Sequence, residues 1–109
     1  MSTEMPPLPP GVDAIIGRII NSVHPLRIII FGSAARGEMA PDSDVDVMVV
    51  MPEGVHRLKT ARYLYQQMLG IGRPVDIVVT TPSVLEKHKD NPGLIYRSVL
   101  IEGREVYAA

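Results

Sequence analysis

The chain has 109 residues, of which 46% are hydrophobic and 21% are charged, and its formal net charge is −1. This length favours a single domain, and the composition is that of a globular protein rather than a disordered polyelectrolyte. Because the net charge is close to zero, nucleic acid is not expected as the main ligand. The absence of cysteine excludes disulfides and thiolate metal sites and agrees with a reducing compartment.

No targeting or membrane segment is recognisable in the sequence. No apolar run approaches the ~20 residues of a membrane span, and the N-terminus lacks a basic segment followed by an apolar one. Residues 1–10 hold four of the ten prolines, and they predict a disordered, proline-rich arm. We expect a cytoplasmic protein without membrane attachment, in which residues 11–109 form one domain.

Hydrophobic periodicity predicts the elements of this domain in chain order. Residues 11–24 carry an apolar stripe at helical spacing, which ends before Pro25. The apolar run at residues 28–31 predicts a buried strand that Gly32 ends, and residues 45–51 and 75–80 predict two more strands of this type. A helix is expected over residues 55–69. Its buried side is predicted to consist of Leu58, Ala61, Leu64, Tyr65, Met68 and Leu69.

The last third of the sequence predicts two further helices and an edge strand. Thr81 is a candidate N-cap, with Pro82 at the first position of a helix over residues 82–89. A short helix over residues 94–101 and a strand over residues 105–107 follow. The second and third strands are joined through a helix, as a parallel pair requires, whereas the short connection between the first two suits an antiparallel pair. The predicted fold is α+β, a two-layer domain with helices packed on a mixed sheet of three to four strands.

Polar residues that suit phosphate chemistry are concentrated at the ends of these strands. Gly32 and Ser33 follow the first strand, Asp44 and Asp46 open the second, and Asp76 opens the third. The predicted strand directions bring all of them to one edge of the sheet. Asp44 and Asp46 are two residues apart and therefore point to the same face, and neighbouring strands lie about 4.8 Å apart.

Such a group of carboxylates predicts a site for divalent cations and a nucleoside triphosphate. Three acids at this spacing repel one another unless a counter-ion is present. Hard cations prefer oxygen ligands, and two Mg²⁺ ions about 3.5–4 Å apart are a known arrangement for moving a nucleotidyl group, with Mn²⁺ as a substitute. Gly32 permits close approach of the backbone to a ligand, and the amides from Ser33 onward suit a phosphate oxygen.

A resemblance to a known family is carried by the string FGSAARGEMAPDSDVDVMVV, in which ten residues separate Gly32-Ser33 from Asp44-Val45-Asp46. This string resembles the motif of the polymerase-beta-like nucleotidyltransferase superfamily, and within it the minimal nucleotidyltransferase branch. The similarity is clearest over residues 26–80, and Glu102-Gly103-Arg104 also fits. The resemblance implies in-line attack of a hydroxyl on the α-phosphorus of a nucleoside triphosphate, with release of pyrophosphate.

The same resemblance implies a role for each motif residue. Asp44 and Asp46 would bind both metal ions, and Asp76 would bind the catalytic ion and help to deprotonate the attacking hydroxyl. Gly32 and Ser33 would position the β- and γ-phosphates, and Arg36 is a weaker candidate for the same role.

The resemblance also implies a partner. Larger members of the superfamily carry a second, helical domain, for which 109 residues leave no room. Minimal nucleotidyltransferases are often paired with an all-helical HEPN protein, an RNase toxin, and transfer AMP from ATP to a tyrosine of that toxin. The implied function is an Mg²⁺-dependent protein adenylyltransferase that acts as an antitoxin. The alternatives are a non-catalytic antitoxin that neutralises by binding, and a homo-oligomeric small-molecule nucleotidyltransferase of the aminoglycoside-modifying kind.

Structural interpretations stay open at the same positions. The acids of the second strand can serve as solvated charges at a strand end, although strands disfavour Asp. Asp76 can pair with Arg73 at the surface, and Arg36 can form a local ion pair with Glu38 or Asp42. Gly37 is interpreted as a helix C-cap rather than a ligand contact.

Overall fold

The computed structural model describes residues 8–38 and 43–109, so residues 1–7 of the predicted proline-rich arm lie outside the described residues. In the described ranges the chain forms five helices and four strands. They are α1 (Val12–Ser22), β1 (Arg27–Phe31), α2 (Ser33–Arg36), β2 (Val45–Val50), α3 (Arg57–Gln67), β3 (Val75–Thr80), α4 (Pro82–His88), α5 (Ile95–Glu102) and β4 (Arg104–Ala108). None of these helices is long and apolar enough to cross a membrane.

The four strands form one mixed sheet in the order β3-β2-β1-β4. β1 is antiparallel to both β2 and β4, and β2 is parallel to β3. α3 makes the crossover between the two parallel strands, as their connection requires. The α+β class, the mixed sheet and the pairing predicted for the first three strands are confirmed. β3 and β4 are the two edge strands of this sheet.

Successive residues of each strand point to opposite faces of the sheet, so each strand contributes to both faces. An apolar cluster covers each face. The larger apolar cluster joins Ile28 and Ile30 of β1 to Ile15 and Ile19 of α1, and α3 packs on the same side. The smaller cluster contains Ile29, Met48, Val50, Leu85 and Val99, and so lies under α4 and α5. The sheet is therefore held by apolar packing on two sides, and this rigid unit positions the polar residues at its rims.

The buried side predicted for α3 is wrong in part. Leu64 and Met68 are buried, but Leu58 is 73% exposed and Leu69 is 79% exposed. Leu58 lies in the first turn of α3 and lines an open groove together with Ile77 and Val79 of the edge strand β3. Leu69 lies beyond the end of the helix at Gln67.

The N-terminus of α4 is capped differently from the prediction. Thr81 is the N-cap residue, but its side chain makes no capping hydrogen bond. Instead the carboxylate of Glu53, which follows β2, accepts hydrogen bonds from the backbone N–H of Ser83 at 2.7 Å and from its hydroxyl at 2.8 Å. A carboxylate is favourable at this position because the first N–H groups of a helix have no partner within the helix.

Candidate active site

The chain turns sharply at Gly32, directly after β1. Gly32 has φ 68° and ψ −149°, a conformation that residues with a side chain rarely adopt. A Cβ atom built on Gly32 would overlap Oδ2 of Asp46 in the neighbouring strand β2. The backbone of the turn and this carboxylate are therefore in direct contact, and only glycine fits there.

The turn continues into the short helix α2, which begins at Ser33. Ala34 and Ala35 are buried and anchor α2 to the sheet. Gly37 ends the helix in the left-handed conformation at φ 70°, and its N–H donates to the carbonyl of Ala34 at 3.3 Å. The interpretation of Gly37 as a C-cap is confirmed. Ser33 is thus held at the same rim of the sheet as Gly32.

The two strands that carry the acids place them side by side. Asp46 is the register partner of Asp76 in the parallel pair β2–β3, so the two residues belong to the same face of the sheet. Asp44 immediately precedes β2, two residues before Asp46. Asp44 and Asp76 are exposed, whereas Asp46 is half-buried between the turn and the neighbouring strand.

The electrostatics of this rim are those of crowded like charges. Burial raises the pKa of Asp46, and the carboxylates of Asp76 and Asp44 raise it further, whereas Arg36 lowers it. Both neighbouring carboxylates are therefore close enough to act on the charge of Asp46. Any positive charge added at this rim is favoured for the same reason.

The donor set fits a hard divalent cation. Within residues 8–38 and 43–109, no three acidic or histidine side chains converge on one point as a ready set of metal ligands. Mg²⁺ does not require such a set, because it commonly binds one or two carboxylates together with water and substrate phosphates. The half-buried Asp46 and its neighbours Asp44 and Asp76 supply carboxylate oxygens of this kind.

Arg36 is engaged locally. Its Nε donates to Oε2 of Glu38 at 3.1 Å, which is one of the two interpretations open from the sequence, and both side chains are largely exposed. Asp42, the other partner considered, lies outside the described residues. An exposed pair of this kind contributes about 0–1 kcal/mol, so a phosphate can compete for the guanidinium.

Tyr65 contacts one of the candidate site residues, and the sequence interpretation missed this contact. It was expected on the buried side of α3, but it is 42% exposed, and its hydroxyl lies at the open edge of β3. The backbone N–H of Ile77 donates to this hydroxyl at 2.9 Å, and the hydroxyl donates to Oδ1 of Asp76 at 3.1 Å, with the carbonyl of Ile77 farther away at 3.4 Å. Burial raises the pKa of Tyr65, and its hydrogen bond to Asp76 also raises it, while the bond from Ile77 lowers it.

A sequence signal for Tyr65 was available only in part. A tyrosine has a polar end that seeks a hydrogen-bond partner when its ring is covered. Finding that partner requires knowing that β3 is an edge strand, because only an edge strand has N–H groups that no neighbouring strand occupies.

Cavities border this rim without enclosing its acids. The groove beside Leu58, of about 600 Å³, is lined by Ile77, which is next to Asp76. A cavity of about 150 Å³ adjoins Gly32 and lies against α5, where it is lined by Ser98, Val99 and Glu102. It is smaller than the roughly 300–1,000 Å³ that is usual for small-molecule sites. A cavity of about 330 Å³ lies against Leu26 and Val50 at the opposite rim, about 13 Å of strand away from Asp46. Because Asp44 and Asp76 are exposed, the acids lie at an open rim of the sheet rather than inside a cavity.

Comparison with known proteins identifies the family to which the chain belongs. The family model described as a nucleotidyltransferase domain matches residues 16–106, a span that includes Gly32 and all three acids. The chain belongs to the nucleotidyltransferase domain family. No curated protein matches its sequence.

The fold of this nucleotidyltransferase domain is also found in a solved structure. A crystal structure of a provisionally named nucleotidyltransferase from Sulfolobus solfataricus aligns with a TM-score of 0.59 and 20% sequence identity. The alignment covers 90% of this chain and 78% of the other. At this identity the similarity concerns the fold, and the class of chemistry comes from the family.

Proposed function

We propose that this nucleotidyltransferase domain transfers AMP from ATP to a tyrosine hydroxyl of a HEPN-family toxin and thereby acts as its antitoxin. The observation that carries the proposal is the pairing of Asp46 with Asp76 across β2 and β3, in contact with the Gly32 turn. Nucleotidyl transfer is the chemistry of the family. The donor ATP, the toxin and the antitoxin role follow from the resemblance of the motif at residues 31–50 to minimal nucleotidyltransferases.

In the proposed mechanism the three acids have different roles. Asp44 and Asp46 would hold divalent ions beside the triphosphate, and Asp76 would be a further ligand and would accept the proton of the attacking hydroxyl. Bound Mg²⁺ supplies positive charge that neutralises the triphosphate and the leaving pyrophosphate. Burial raises the pKa of Asp46, and the neighbouring carboxylates raise it further; a bound cation would relieve the repulsion among these carboxylates.

The phosphate tail of the nucleotide belongs at the Gly32 turn. Gly32 has no side chain to separate the backbone from a ligand, and Ser33 offers a hydroxyl at the beginning of α2. Arg36 is close enough to lower the pKa of Asp46, and its exposed pair with Glu38 can open toward a phosphate.

A tyrosine of another protein is a suitable acceptor for two reasons. Asp76 is exposed on an edge strand, so a residue carried by a second protein can approach it from solvent. Its carboxylate also already accepts a hydrogen bond from a phenol, that of Tyr65, at 3.1 Å. The site therefore tolerates a tyrosine hydroxyl at the distance that proton transfer requires.

The direct test uses ATP radiolabelled at the α-phosphate, Mg²⁺ and the purified product of the neighbouring gene. We expect label on a tyrosine of that protein with the unaltered chain and none with Asp44→Ala. Asp13→Ala, which removes an exposed acid from the first turn of α1, should transfer normally. Absence of transfer by the unaltered chain would remove the enzymatic proposal, and the same assay with GTP, CTP and UTP tests the preference for ATP.

Protection of cells separates catalysis from binding. Co-expression with the toxin should restore growth with the unaltered chain and should fail with Asp46→Ala. If Asp46→Ala protects cells as well as the unaltered chain does, neutralisation by binding alone replaces the catalytic proposal.

A further inference from the structure

The tyrosine at the rim already makes the contact that an acceptor hydroxyl needs. The Tyr65 hydroxyl donates to Oδ1 of Asp76 at 3.1 Å, and the backbone N–H of Ile77 holds it in place at 2.9 Å. Tyr65 is 42% exposed, so its ring is reachable from solvent. Its hydroxyl belongs to the chemical class proposed for the toxin acceptor, and it contacts the carboxylate proposed to receive the acceptor's proton.

We propose that Tyr65 is itself an acceptor, so that the domain nucleotidylates its own chain at this residue. This inference rests on the proposed function, because it uses the same rim and the same nucleoside triphosphate. The phenolic oxygen attacks the α-phosphorus and a new O–P bond forms. The bond from the α-phosphorus to the bridging oxygen breaks, and pyrophosphate leaves with that electron pair. The phenolic proton passes to the carboxylate of Asp76.

Modification of Tyr65 is expected to slow further nucleotidyl transfer by the same chain. Tyr65 has one hydroxyl, so one phosphodiester bond forms at this residue in each chain. The product places a phosphodiester anion beside Asp76 and Asp46, where like charge is already unfavourable. The modified phenol also has no proton to donate to Asp76. A chain modified at Tyr65 is therefore expected to transfer AMP to other acceptors more slowly.

Tyr63 provides a matched control within the same helix. It is 44% exposed, nearly the same as Tyr65, and it lines a separate cavity with Arg18, Asn21 and Gln67. The two tyrosines share α3 and differ in their surroundings, since Asp76 is the partner of Tyr65. Label on Tyr65 but not on Tyr63 would indicate transfer directed by the rim rather than general reactivity of surface phenols.

The test is peptide mapping of the full chain after incubation with ATP and Mg²⁺. We expect intact mass to show one added AMP, and fragment ions to place it on Tyr65. Fragmentation is needed because the tryptic peptide that begins at Tyr63 contains both tyrosines. Tyr65→Phe should remove the added mass, Tyr63→Phe should keep it, and Asp44→Ala should lose it.

The outcomes separate this inference from the proposed function. Label on the neighbouring toxin without label on Tyr65 overturns self-modification and leaves the proposed function standing. Label on neither protein overturns both. Label that maps to Tyr63, or that persists in Tyr65→Phe, overturns the assignment to this residue.

A second measurement does not depend on turnover. Mn²⁺ added to the full chain without nucleotide should broaden the ring NMR signals of Tyr65 strongly and those of Tyr63 weakly, because paramagnetic relaxation falls steeply with distance. Asp44→Ala should reduce the broadening. Equal broadening of the two rings, or none in either, would show that Tyr65 does not lie at a cation site and would overturn the inference.

Discussion

The sheet has two rims, which differ in how their polar groups are satisfied. The near rim carries Gly32, Asp46 and Asp76, and the far rim carries Leu26, Val50 and Glu53. At the far rim the backbone N–H of Leu26 donates to the carbonyl of Val50 at 2.7 Å. There, two hydrogen bonds from Ser83 hold the pKa of Glu53 below its ordinary value. At the near rim, burial and neighbouring carboxylates raise the pKa of Asp46. One rim is built for stability, and the other keeps an unfavourable charge arrangement, which is typical of functional sites.

The largest difference between the rims should appear in catalysis. Asp76→Asn keeps the shape of the side chain but removes its negative charge, so we expect nucleotidyl transfer to fall by about a hundredfold to a thousandfold. Glu53→Gln makes the same chemical change at the far rim and should leave the rate within about twofold. Pyrophosphate release under saturating ATP measures both. Similar losses in the two variants would mean that the near rim has no special role in the reaction.

Glycine substitutions compare the close contact at the near rim with a plain turn. Gly32→Ala forces a side chain into a positive-φ position and against Asp46, whereas Gly54→Ala at φ 94° meets no atom within 4 Å. We expect Gly54→Ala to lower the free energy of unfolding by about 1 kcal/mol, and Gly32→Ala to lower it by about 2–3 kcal/mol. Urea unfolding measures both values. Equal losses would show that the overlap with Asp46 is relieved without cost.

Neutralising the half-buried acid should stabilise the domain when divalent ions are absent. The pKa of Asp46 is raised in the folded state, so its ionised form opposes folding, and Asp46→Asn should raise the melting temperature by about 2–5 °C at pH 7 in EDTA. The difference should shrink as the pH falls through that raised pKa, because the carboxyl of the unaltered chain then becomes protonated.

Added Mg²⁺ with ATP should make the melting temperature of the unaltered chain higher than that of Asp46→Asn. Ligands that bind only the folded state raise the melting temperature. The unaltered chain should gain stability, and Asp46→Asn should gain less. An unaltered chain whose melting temperature does not respond to millimolar Mg²⁺ and ATP together would contradict the proposed site.

The smallest effect is expected for Glu53 at the far rim, and it has the opposite sign. Its pKa is lowered in the folded state, so its charge stabilises the domain above the ordinary value of 4.5, and this contribution disappears as the pH falls through the lowered pKa. Glu53→Gln should therefore lower the melting temperature slightly at pH 7 and not at acidic pH. An unchanged difference at acidic pH would mean that the lost hydrogen-bond geometry, not the charge, causes the effect.

Much of the near rim could be predicted from the sequence because short segments of the chain determine the strands that form it. A run of apolar residues defines each of the first three strands, and the length of the connections between them decides whether neighbours are parallel or antiparallel. These rules place the end of β1 at the same rim as the beginnings of β2 and β3, which brings Gly32, Asp46 and Asp76 to that rim. The catalytic roles of the acids stay predictions until the variants above are measured.

The contacts that tune both rims could not be predicted in this way. The hydroxyl of Tyr65 reaches Asp76, and Glu53 caps α4 across 30 residues of chain in place of the expected Thr81 side chain. The exposure of Leu58 likewise depends on β3 being an edge strand. Each of these outcomes depends on which surface of one element faces which end of another.

The sequence by itself determined the order of the elements, the directions of the first three strands and the rim that receives the acids. Hydrophobic periodicity and connection length are sufficient to predict these features, since both can be determined from short segments of the sequence. Only the tertiary structure decided that Asp46 is half-buried with a raised pKa and that Tyr65 stands beside Asp76. Burial and charge are sums over all neighbours in space, and most of those neighbours are distant in the chain.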